Sequence, residues 1–407
     1  MRPLCFTLLL ALGLTSSDAL AADWVVSKNG GDFQTIGQAM AAASPNDRIL
    51  VMPGAYPAFQ FTVAVDVIGL GATPSAVTID RVDYHVSIPV NDYDTLLSNV
   101  TVGSDDARDG IAISGNELPP GTFHIDGVIV DGAIFLASQD SGFYLLMTNS
   151  RVSNQPGEGF LDAAFYFGGS NCYLDIRNST IAGSNGTSGH KAYSGLRLVA
   201  GTNGRLSNAV VLGGVGSAAF PEGATALIRG SSPGTVELRL DGGTKITGGG
   251  GFASGAGGHG VDVSGTIWAG QVQTAGGNGT PPGLAYADAQ PTTLGVDLHL
   301  ALSPVLENAA GRSFLIPGDT FSLDMATPAA NTAIAVGFDL GVPSGGLFLP
   351  VSLPNALLVM GNSVQVEIPP LPAGAANGIE VYAQGLTNVS GGLQLSETAS
   401  IRIDLNP

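Results

Sequence analysis

The chain has 407 residues, of which 44% are hydrophobic and 12% charged, and its formal net charge is −18. This apolar content argues against a disordered chain, because enough apolar surface is present to form a core. The negative charge argues against nucleic acid and anionic membrane surfaces as partners. It also disfavours direct binding of acidic polysaccharides unless divalent cations bridge the two.

Residues 1–21 predict a secretory signal peptide. Arg2 supplies the positive end, Leu4–Leu14 the apolar stretch, and Ala19–Ala21 a small-x-small cleavage site. The apolar stretch is too short to span a bilayer, and no later segment is long enough. We therefore expect a secreted protein, extracellular or periplasmic, with no transmembrane segment after signal cleavage. Cys172 would then be its only cysteine, and we expect it to be a small buried side chain.

The mature chain begins with a pattern of strand, helix and strand. Trp24–Val26 predicts a short strand, and Arg48–Met52 a buried one that ends at a Pro-Gly turn. Between them, Asp32 is placed to cap a short helix. The apolar face of that helix would comprise Phe33, Ile36, Met40 and Ala43.

A six-residue frame then recurs five times between Leu97 and Val211. It reads apolar residue, any residue, Asn or Gly, two residues, apolar residue. The Asn or Gly positions, at steps of 28, 22, 29 and 30 residues, are Asn99, Gly127, Asn149, Asn178 and Asn208. A fixed frame at this period predicts a solenoid with one coil per step. A further copy lies at Val263–Trp268, and a looser one at Leu238–Ile246.

Short apolar runs bounded by turn residues predict the strands of the solenoid. The runs are residues 65–70, 110–113, 132–136, 163–167, 196–199 and 225–228. They are too close together to hold crossover helices, so parallel pairing must join successive coils, about nine or ten in all. The Asn side chains would bond to each other and to turn backbone at one corner.

Three segments follow the coils. The Gly-rich run Gly248–Gly260 predicts a long loop or poorly ordered flap, and residues 279–293 predict a linker by their proline content. Beyond the linker, longer alternating strands predict an antiparallel β-sandwich over residues 294–407. The strands would lie at residues 296–302, 320–325, 332–340, 347–353, 364–368, 379–385 and 401–405.

The opening of the mature chain resembles a known family. Gly31–Ile36, a short helix and then Asp47–Tyr56 are similar to the start of pectin-lyase-like right-handed parallel β-helix proteins. The resemblance implies an all-β fold in which the helix covers the open end of a β-helix over residues 22–278. The last third of the C-terminal domain resembles a β-domain of secreted proteins from environmental bacteria, which implies no activity.

The enzymes of that family suggest where catalytic residues would lie, but their motifs match poorly. Residues 162–168 differ from the pectin methylesterase motif by two extra residues. Residues 104–111 and 258–260 contain fragments similar to polygalacturonases, in the wrong order. Pectate lyases need a basic residue beside calcium, and the local concentration of basic residues comprises Arg177, Lys191, Arg197 and Arg205.

Calcium is the one cofactor for which the sequence offers candidate ligands. Asp105, Asp106 and Asp109 form the densest acidic cluster, and their carboxylates suit calcium. The spacing is not that of a known calcium loop, so a solvated turn is the competing interpretation. His85, His124, His190, His259 and His299 are too scattered for a metal motif, and we expect structural or surface roles for them.

Three functions remain open from the sequence. The first is a secreted protein that binds a polysaccharide or a cell-surface component along its long face, with no catalytic motif. The second is a lyase or hydrolase acting on polysaccharide that contains uronic acid, and the third is a structural or adhesive surface protein. Two carboxylates in a groove, or a basic residue beside two or three acids, would favour the enzyme. A flat face of Thr, Ser and Asn would argue against it.

Overall fold

The computed structural model describes most of the solenoid and the strands of the C-terminal part. The described residues are 22–84, 95–103, 109–115, 121–138, 143–153, 162–169, 172–199, 201–229, 236–241, 243–270, 272–293, 300–304, 314–315, 320–325, 332–337, 357–361, 363–367, 379–389 and 392–403. The predicted signal peptide lies outside them. Among the described residues, no helix is long and apolar enough to cross a membrane.

Three parallel sheets, named A, B and C, build the solenoid. Sheet A comprises Asp23–Val26, Arg48–Val51, Asp66–Gly69, Thr95–Ser98, Gly121–Asp126, Phe143–Thr148, Tyr173–Arg177, Asn203–Ser207, Val236–Asp241, Gly265–Ala269 and Thr292–Thr293. Sheet B comprises Gly54–Tyr56, Val77–Ile79, Thr101–Val102, Ile129–Asp131, Arg151–Ser153, Thr180–Ala182, Val210–Leu212, Lys245–Thr247 and Gln273–Ala275. Sheet C comprises Phe59–Phe61, Val82–Tyr84, Asp109–Gly115, Ala133–Ser138, Ala163–Gly168, Ser194–Leu198, Leu227–Arg229 and Val261–Asp262.

The chain visits sheets A, B and C in turn, and each strand pairs with the equivalent strand of the next coil. This topology defines a parallel β-helix and confirms the predicted architecture. The 8 strands of sheet C mark the complete coils in the described residues, and partial coils extend sheet A to 11 strands. The right-handed sense of the coils stays a prediction, supported by the general preference for right-handed crossovers.

The Asn and Gly positions of the frame lie at the corner between sheets A and B. All five have left-handed backbone, with φ of 54° at Asn99, 62° at Gly127, 51° at Asn149, 49° at Asn178 and 48° at Asn208. Asn and Gly are the residues that adopt this conformation at least cost. The repeat therefore marks a sharp corner in each of these five coils. The copy at Val263–Trp268 was wrong, because Gly265 begins a strand of sheet A.

Alternation along each strand separates the core from the surface. On sheet A, the inward row of aligned residues is Ile125, Met147, Ile176, Leu206 and Leu240. All five are fully buried. Cys172 belongs to the same core and is buried as predicted.

The helix Ile36–Ala42 covers the first coil, with Ile36, Ala39 and Met40 buried in the core. Its N-cap is Thr35, which forms a capping box with Gln38. The predicted cap Asp32 was wrong. Its carboxylate instead accepts the backbone N–H of Val25 at 2.8 Å, which closes the turn that precedes the helix. A 3-10 turn, Pro74–Ala76, lies in the second coil.

The Gly-rich region forms an ordered layer beside the last coils, so the predicted flap at Gly248–Gly260 was wrong. Between sheets B and C, four successive coils each send out one segment and return by another. The outgoing segments are residues 183–187, 213–217, 248–252 and 275–279, and the returning segments are 190–193, 221–225, 255–260 and 281–285. We call these eight segments the glycine array.

Backbone contacts in the array repeat every third residue. A Cβ atom built on Gly213 would lie 2.0 Å from the carbonyl oxygen of Ala224, and one on Gly216 would lie 2.3 Å from that of Pro221. A threefold repeat is the period of a polyproline II helix, which has no internal hydrogen bonds. The segments therefore bond to each other. Seven bonds of 2.8 to 3.0 Å alternate between outgoing and returning segments, through Ser184, Tyr193, Gly214, Ala224, Gly249, Gly258, Gly277 and Gly283.

The stretch predicted as a linker, residues 279–293, is hydrogen-bonded to the solenoid. Gly283 donates its N–H to Gly277, Tyr286 forms a parallel bridge with Val261, and Thr292–Thr293 adds to sheet A. The compact unit to which the solenoid belongs accordingly runs from Ala21 to Thr292.

The C-terminal unit contains two sheets in the described residues. One has three antiparallel strands, Leu300–Pro304, Thr320–Met325 and Ser363–Glu367. The other has Phe314–Leu315, Gly392–Ile403, Ile379–Val389, Thr332–Gly337 and Leu357–Met360 in spatial order. The predicted strands at 320–325 and 379–385 are confirmed in position, and those at 332–340 and 364–368 are confirmed as far as Gly337 and Glu367, where the described residues end. The prediction at 347–353 lies outside the described residues. Packing of the two sheets into a sandwich stays a prediction.

Candidate functional site: an aromatic platform on sheet C

The outward face of sheet C carries one continuous row of aligned side chains. In register along the solenoid they are Gln60, Asp83, Ala112, Phe135, Tyr166, Arg197, Ile228 and Asp262. Their neighbours in each strand point into the core; Ile134 and Phe165, for example, are fully buried. The row therefore places residues from eight successive strands on a single line along the outward face of sheet C.

Two aromatic rings form the centre of this row. The centroids of Phe135 and Tyr166 are 5.2 Å apart with an interplanar angle of 31°, and both residues are half-buried. Small residues flank them along the strands, namely Ala137 beside Phe135 and Gly168 beside Tyr166. A Cβ built on Gly168 would lie 3.1 Å from Cε1 of Tyr166. The Tyr166 ring therefore occupies the space above the glycine.

Charged side chains complete one end of the platform. The guanidinium carbon of Arg197 lies 5.7 Å from the centre of the Tyr166 ring, and Arg197 Nη1 donates a short hydrogen bond to Asp162 Oδ1. Lys191 Nζ lies 3.8 Å from the other oxygen, Oδ2. The exposed fractions of these side chains are 21% for Arg197, 38% for Asp162 and 62% for Lys191.

One hydrogen-bond donor in this group has no acceptor. Arg197 Nε is buried and has no partner among the residues that the structure describes. The five residues Phe135, Tyr166, Arg197, Asp162 and Lys191, here called the aromatic platform, thus combine flat apolar faces with polar groups at one edge. Such a combination is typical of small-ligand sites, where apolar surfaces supply contact and a few polar groups fix orientation.

The other predicted basic residues lie elsewhere, on the outward face of sheet A. Asp175 Oδ2 accepts hydrogen bonds from Arg177 Nε at 3.0 Å, Arg177 Nη2 at 2.6 Å, Tyr144 Oη at 3.2 Å and Arg205 Nη1 at 3.4 Å. Asp175 is fully buried, and Arg205 and Arg239, aligned on the next two strands, are each 1% exposed. This cluster is closed to solvent.

Burial and neighbouring charges shift the pKa values of Asp175 and Tyr173 in this cluster. Burial acts to raise the pKa of Asp175, but the guanidinium groups of Arg177 and Arg205 and the hydrogen bonds from Arg177 and Tyr144 outweigh it, so the pKa is lowered. Burial, with the nearby Asp175 charge, raises the pKa of Tyr173 well above its ordinary value. A carboxylate held ionised in this way is a poor proton donor. We therefore interpret the cluster as a clamp between coils.

His124 also lies on sheet A and has a structural role there. Its Nε2 is 2.8 Å from Thr148 Oγ1, which donates to Asp126 Oδ1 at 2.6 Å. His259 likewise accepts the N–H of Leu284 within the glycine array, at 3.0 Å. Both agree with the expectation of structural histidines, whereas His85 and His299 lie outside the described residues.

The predicted calcium ligands are not tested by the structure. Asp105 and Asp106 lie outside the described residues, and Asp109 begins a strand of sheet C with its side chain outside them. Within the described part of the chain, no group of three His, Cys, Asp or Glu side chains is placed to hold a metal ion.

Sequence reasoning missed Phe135 and Tyr166. Both lie in runs that were correctly predicted as strands, but aromatic residues in apolar runs are by default assigned to the core. The available signal was the pattern within each strand, in which a large residue is flanked two positions away by Ala or Gly. Fully buried Phe165 and Phe167 on either side of Tyr166 then require the tyrosine to point outward.

Comparison with known proteins adds little to this geometry. No family model matches the chain, and no curated protein matches it. Among solved structures, the pectate lyase Pel9A aligns at 12% identity and a TM-score of 0.36 over 68% of this chain and 79% of its own. The A-module of the Azotobacter vinelandii mannuronan C-5 epimerase AlgE4 aligns at 12% identity and 0.18 over 63% and 91%. At these TM-scores neither alignment supports an argument, so the class of the protein, a parallel β-helix, rests on its strand topology.

Proposed function

We propose that the protein is an exported carbohydrate-binding β-helix protein and that the aromatic platform holds a sugar ring of its ligand. The observation that carries this proposal is the pair of half-buried aromatic rings of Phe135 and Tyr166, 5.2 Å apart on the outward face of sheet C. Aromatic rings on an outward sheet face, beside a few polar groups that can fix orientation, are the combination expected of a site for a small ring-shaped ligand.

A sugar ring is such a partner. Its axial C–H groups form a flat apolar face with a slight positive charge, which suits the negative face of an aromatic ring. Phe135 and Tyr166 lie on neighbouring strands, about 4.8 Å apart along the solenoid. The platform can therefore contact one ring or two consecutive rings of an extended polymer that runs along sheet C.

The polar edge would fix the orientation of the ligand. The Asp162 carboxylate can accept hydrogen bonds from sugar hydroxyls, and Lys191 can donate to them. Because Arg197 already bonds to Asp162 and stacks on Tyr166, both groups are held in place before the ligand arrives. Preorganisation of this kind lowers the entropic cost of binding.

Binding is supported better than hydrolysis by the spacing of carboxylates. Glycosidases need two carboxyl groups within roughly 5 to 9.5 Å of each other. In the described outward row, Asp83 and Asp262 each lie three strands from Tyr166, which is about 14 Å at the usual strand spacing. Asp162 is the carboxylate of the platform itself, and it is paired with two cations.

A panel of polysaccharides tests this proposal. The mature chain, beginning at Ala22, would be run by affinity electrophoresis through gels containing neutral and acidic plant, algal and bacterial polymers, with and without calcium. Retardation by at least one polymer is expected, without release of new chain ends. Release of unsaturated or reducing ends above the level of a heat-inactivated control would contradict a binding protein and indicate a lyase or hydrolase. No retardation by any polymer would contradict the proposal.

Export is the second part of the proposal and has its own test. It is supported by the charged, apolar and small-residue regions of residues 1–21. Expression of the full chain in a bacterial host should yield protein outside the cytoplasm, and its N-terminal sequence should begin at Ala22. Recovery in the cytoplasm with Met1 retained would contradict export while leaving carbohydrate binding unaffected.

A further inference from the structure

The glycine array ends in an edge that can accept another extended segment. Each of the first three outgoing segments donates two N–H groups, three residues apart, to carbonyl groups of the outgoing segment of the next coil. These bonds, 2.6 to 3.0 Å long, run from Gly183 to Leu212, Gly186 to Val215, Gly213 to Thr247, Gly216 to Gly250, Gly248 to Ala275 and Gly251 to Asn278. The pattern thus passes through all four outgoing segments in one direction.

In the last outgoing segment the equivalent donors are Gly276 and Gly279. The N–H groups of both have no acceptor among the residues that the structure describes. Three residues of polyproline II helix span about 9 Å, so the two donors are separated by one full turn of such a helix. They lie in a segment whose backbone is fixed by its neighbours, since Gly277 donates to Gly258 at 2.8 Å.

The returning segments end differently. Gly223 donates to Ala256, and Gly257 donates to Pro281, each at 2.9 Å. The next position in this series is Pro282, which has no N–H to donate. A proline at an edge is a common way to prevent further pairing. Pro282 therefore closes one donor position of the last returning segment, whereas both donor positions of the last outgoing segment are open among the described residues. Leu284, which is 54% exposed, lies in the returning segment beside them.

We propose that this open edge binds a glycine- and proline-rich polypeptide segment in the polyproline II conformation, which adds to the array as a fifth outgoing segment. Carbonyl groups of a polyproline II helix are unbonded within the helix, so two of them, three residues apart, can accept from Gly276 and Gly279. This is the polyproline counterpart of strand addition to a sheet edge.

The close packing of the array specifies the composition of the partner. A Cβ built on Gly277 would lie 1.9 Å from the carbonyl oxygen of Gly249, and one on Gly283 would lie 1.9 Å from that of Gly258. Neighbouring segments approach this closely only where glycine faces the contact. An added segment must therefore carry glycine at the position that faces Gly277, as the array does at Gly249 and Gly277, and proline elsewhere preorganises its backbone.

The test uses the mature chain with a fluorescein-labelled (Pro-Gly-Gly)6 peptide followed by fluorescence anisotropy. The comparison peptide is (Pro-Val-Val)6, whose branched side chains cannot enter the glycine contacts. Hydrogen exchange of the protein, measured by mass spectrometry, locates the bound peptide. Leu284→Glu places a charge beside the open edge, and Phe220→Glu is the matched control, since Phe220 is 40% exposed in an earlier turn of the array.

We expect binding of the glycine peptide alone, with slowed exchange over residues 273–280. Leu284→Glu should weaken this binding by about fivefold, as expected for the loss of roughly half a leucine side chain from the contact, whereas Phe220→Glu should not change it. The proposal is overturned by equal binding of both peptides, by protection elsewhere, or by no binding at about 1 mM peptide. Concentration-dependent dimers that exclude the peptide would also overturn it, since a second copy would then occupy the edge.

Discussion

The guanidinium group of Arg197 lies over the ring of Tyr166, 5.7 Å from its centroid, while its Nη1 is bonded to Asp162. The two residues are in register on adjacent strands of sheet C. Tyr166 therefore has Phe135 on one side and a cation on the other, and its ring is held in one orientation. This arrangement links the charged edge of the platform to its aromatic centre.

Arg197→Lys tests that link. The substitution keeps the positive charge and can keep the pair with Asp162, but it removes the planar group above Tyr166. We expect affinity for the best polysaccharide to fall about fivefold, the equivalent of roughly 1 kcal/mol for a cation–π contact. Isothermal titration calorimetry would measure it. An unchanged affinity would show that the stacked guanidinium has no part in the site.

A Cβ atom in the glycine array should be strongly destabilising. On Gly258 it would lie 2.0 Å from the carbonyl oxygen of Ala224, so Gly258→Ala forces two backbones apart and should cost at least 2 kcal/mol of unfolding free energy. Gly37→Ala is the control, because nothing lies within 4 Å of a Cβ there. As Gly37 is in a helix, that change should stabilise by about 0.5 to 1 kcal/mol. The unfolding free energies would be measured by urea denaturation. A change in the same direction for both variants would contradict the proposed close packing of the array.

The corner asparagines allow backbone and side-chain contributions to be separated. Asn178 has φ of 49° and accepts a 2.9 Å hydrogen bond from the side chain of Asn208. Asn178→Ala loses that bond and must adopt a left-handed backbone at a cost of about 1 to 2 kcal/mol, whereas Asn178→Gly loses only the bond. The melting temperature should be highest for the wild type, lower for Asn178→Gly and lowest for Asn178→Ala. Equal melting temperatures for the two variants would argue against a backbone contribution.

Lowering the pH should reduce the contribution of Asp175 to the stability of the fold. Because the pKa of Asp175 in the folded chain lies below its ordinary value of 3.8, its contribution is complete above that value and is lost as pH falls through the lower, folded value. Asp175→Asn should therefore cost about 3 to 5 kcal/mol near neutral pH, and less near pH 3. The measurement is urea unfolding of both proteins at the two pH values. A cost that is equal at both would show that the carboxylate charge is not the stabilising feature.

The solenoid can be predicted from the sequence because the corners of its coils depend on single residues with left-handed backbone. Asn99, Asn149, Asn178 and Asn208 need left-handed backbone, and few residue types tolerate it. The frame failed at Gly265, where glycine serves a close backbone approach, its Cβ position lying 2.0 Å from the carbonyl oxygen of Val236. A glycine in the sequence therefore does not by itself indicate whether it forms a left-handed corner or allows a close backbone contact.

The array and the platform depend on contacts between coils and were correspondingly harder to predict. Gly248–Gly260 has the composition of a flexible loop, and its order comes from neighbours such as Ala224 and Gly277, which are remote in sequence. Likewise, Arg177, Lys191, Arg197 and Arg205 are close in sequence. The coil register assigns Arg197 to sheet C and Arg177 and Arg205 to sheet A, whereas Lys191 lies in the returning segment 190–193 that leads into sheet C.

The central claim is that a sugar ring rests on Tyr166, and Tyr166→Ala tests it most directly. Calorimetric titration with the polysaccharide that retards the wild-type chain most should show at least a tenfold loss of affinity, about 1.4 kcal/mol, at an unchanged melting temperature. Phe252→Ala, which removes a ring 48% exposed in the glycine array, should bind as the wild type does. Wild-type affinity in the Tyr166 variant, or an equal loss in both, would contradict the assignment of the platform as the carbohydrate site.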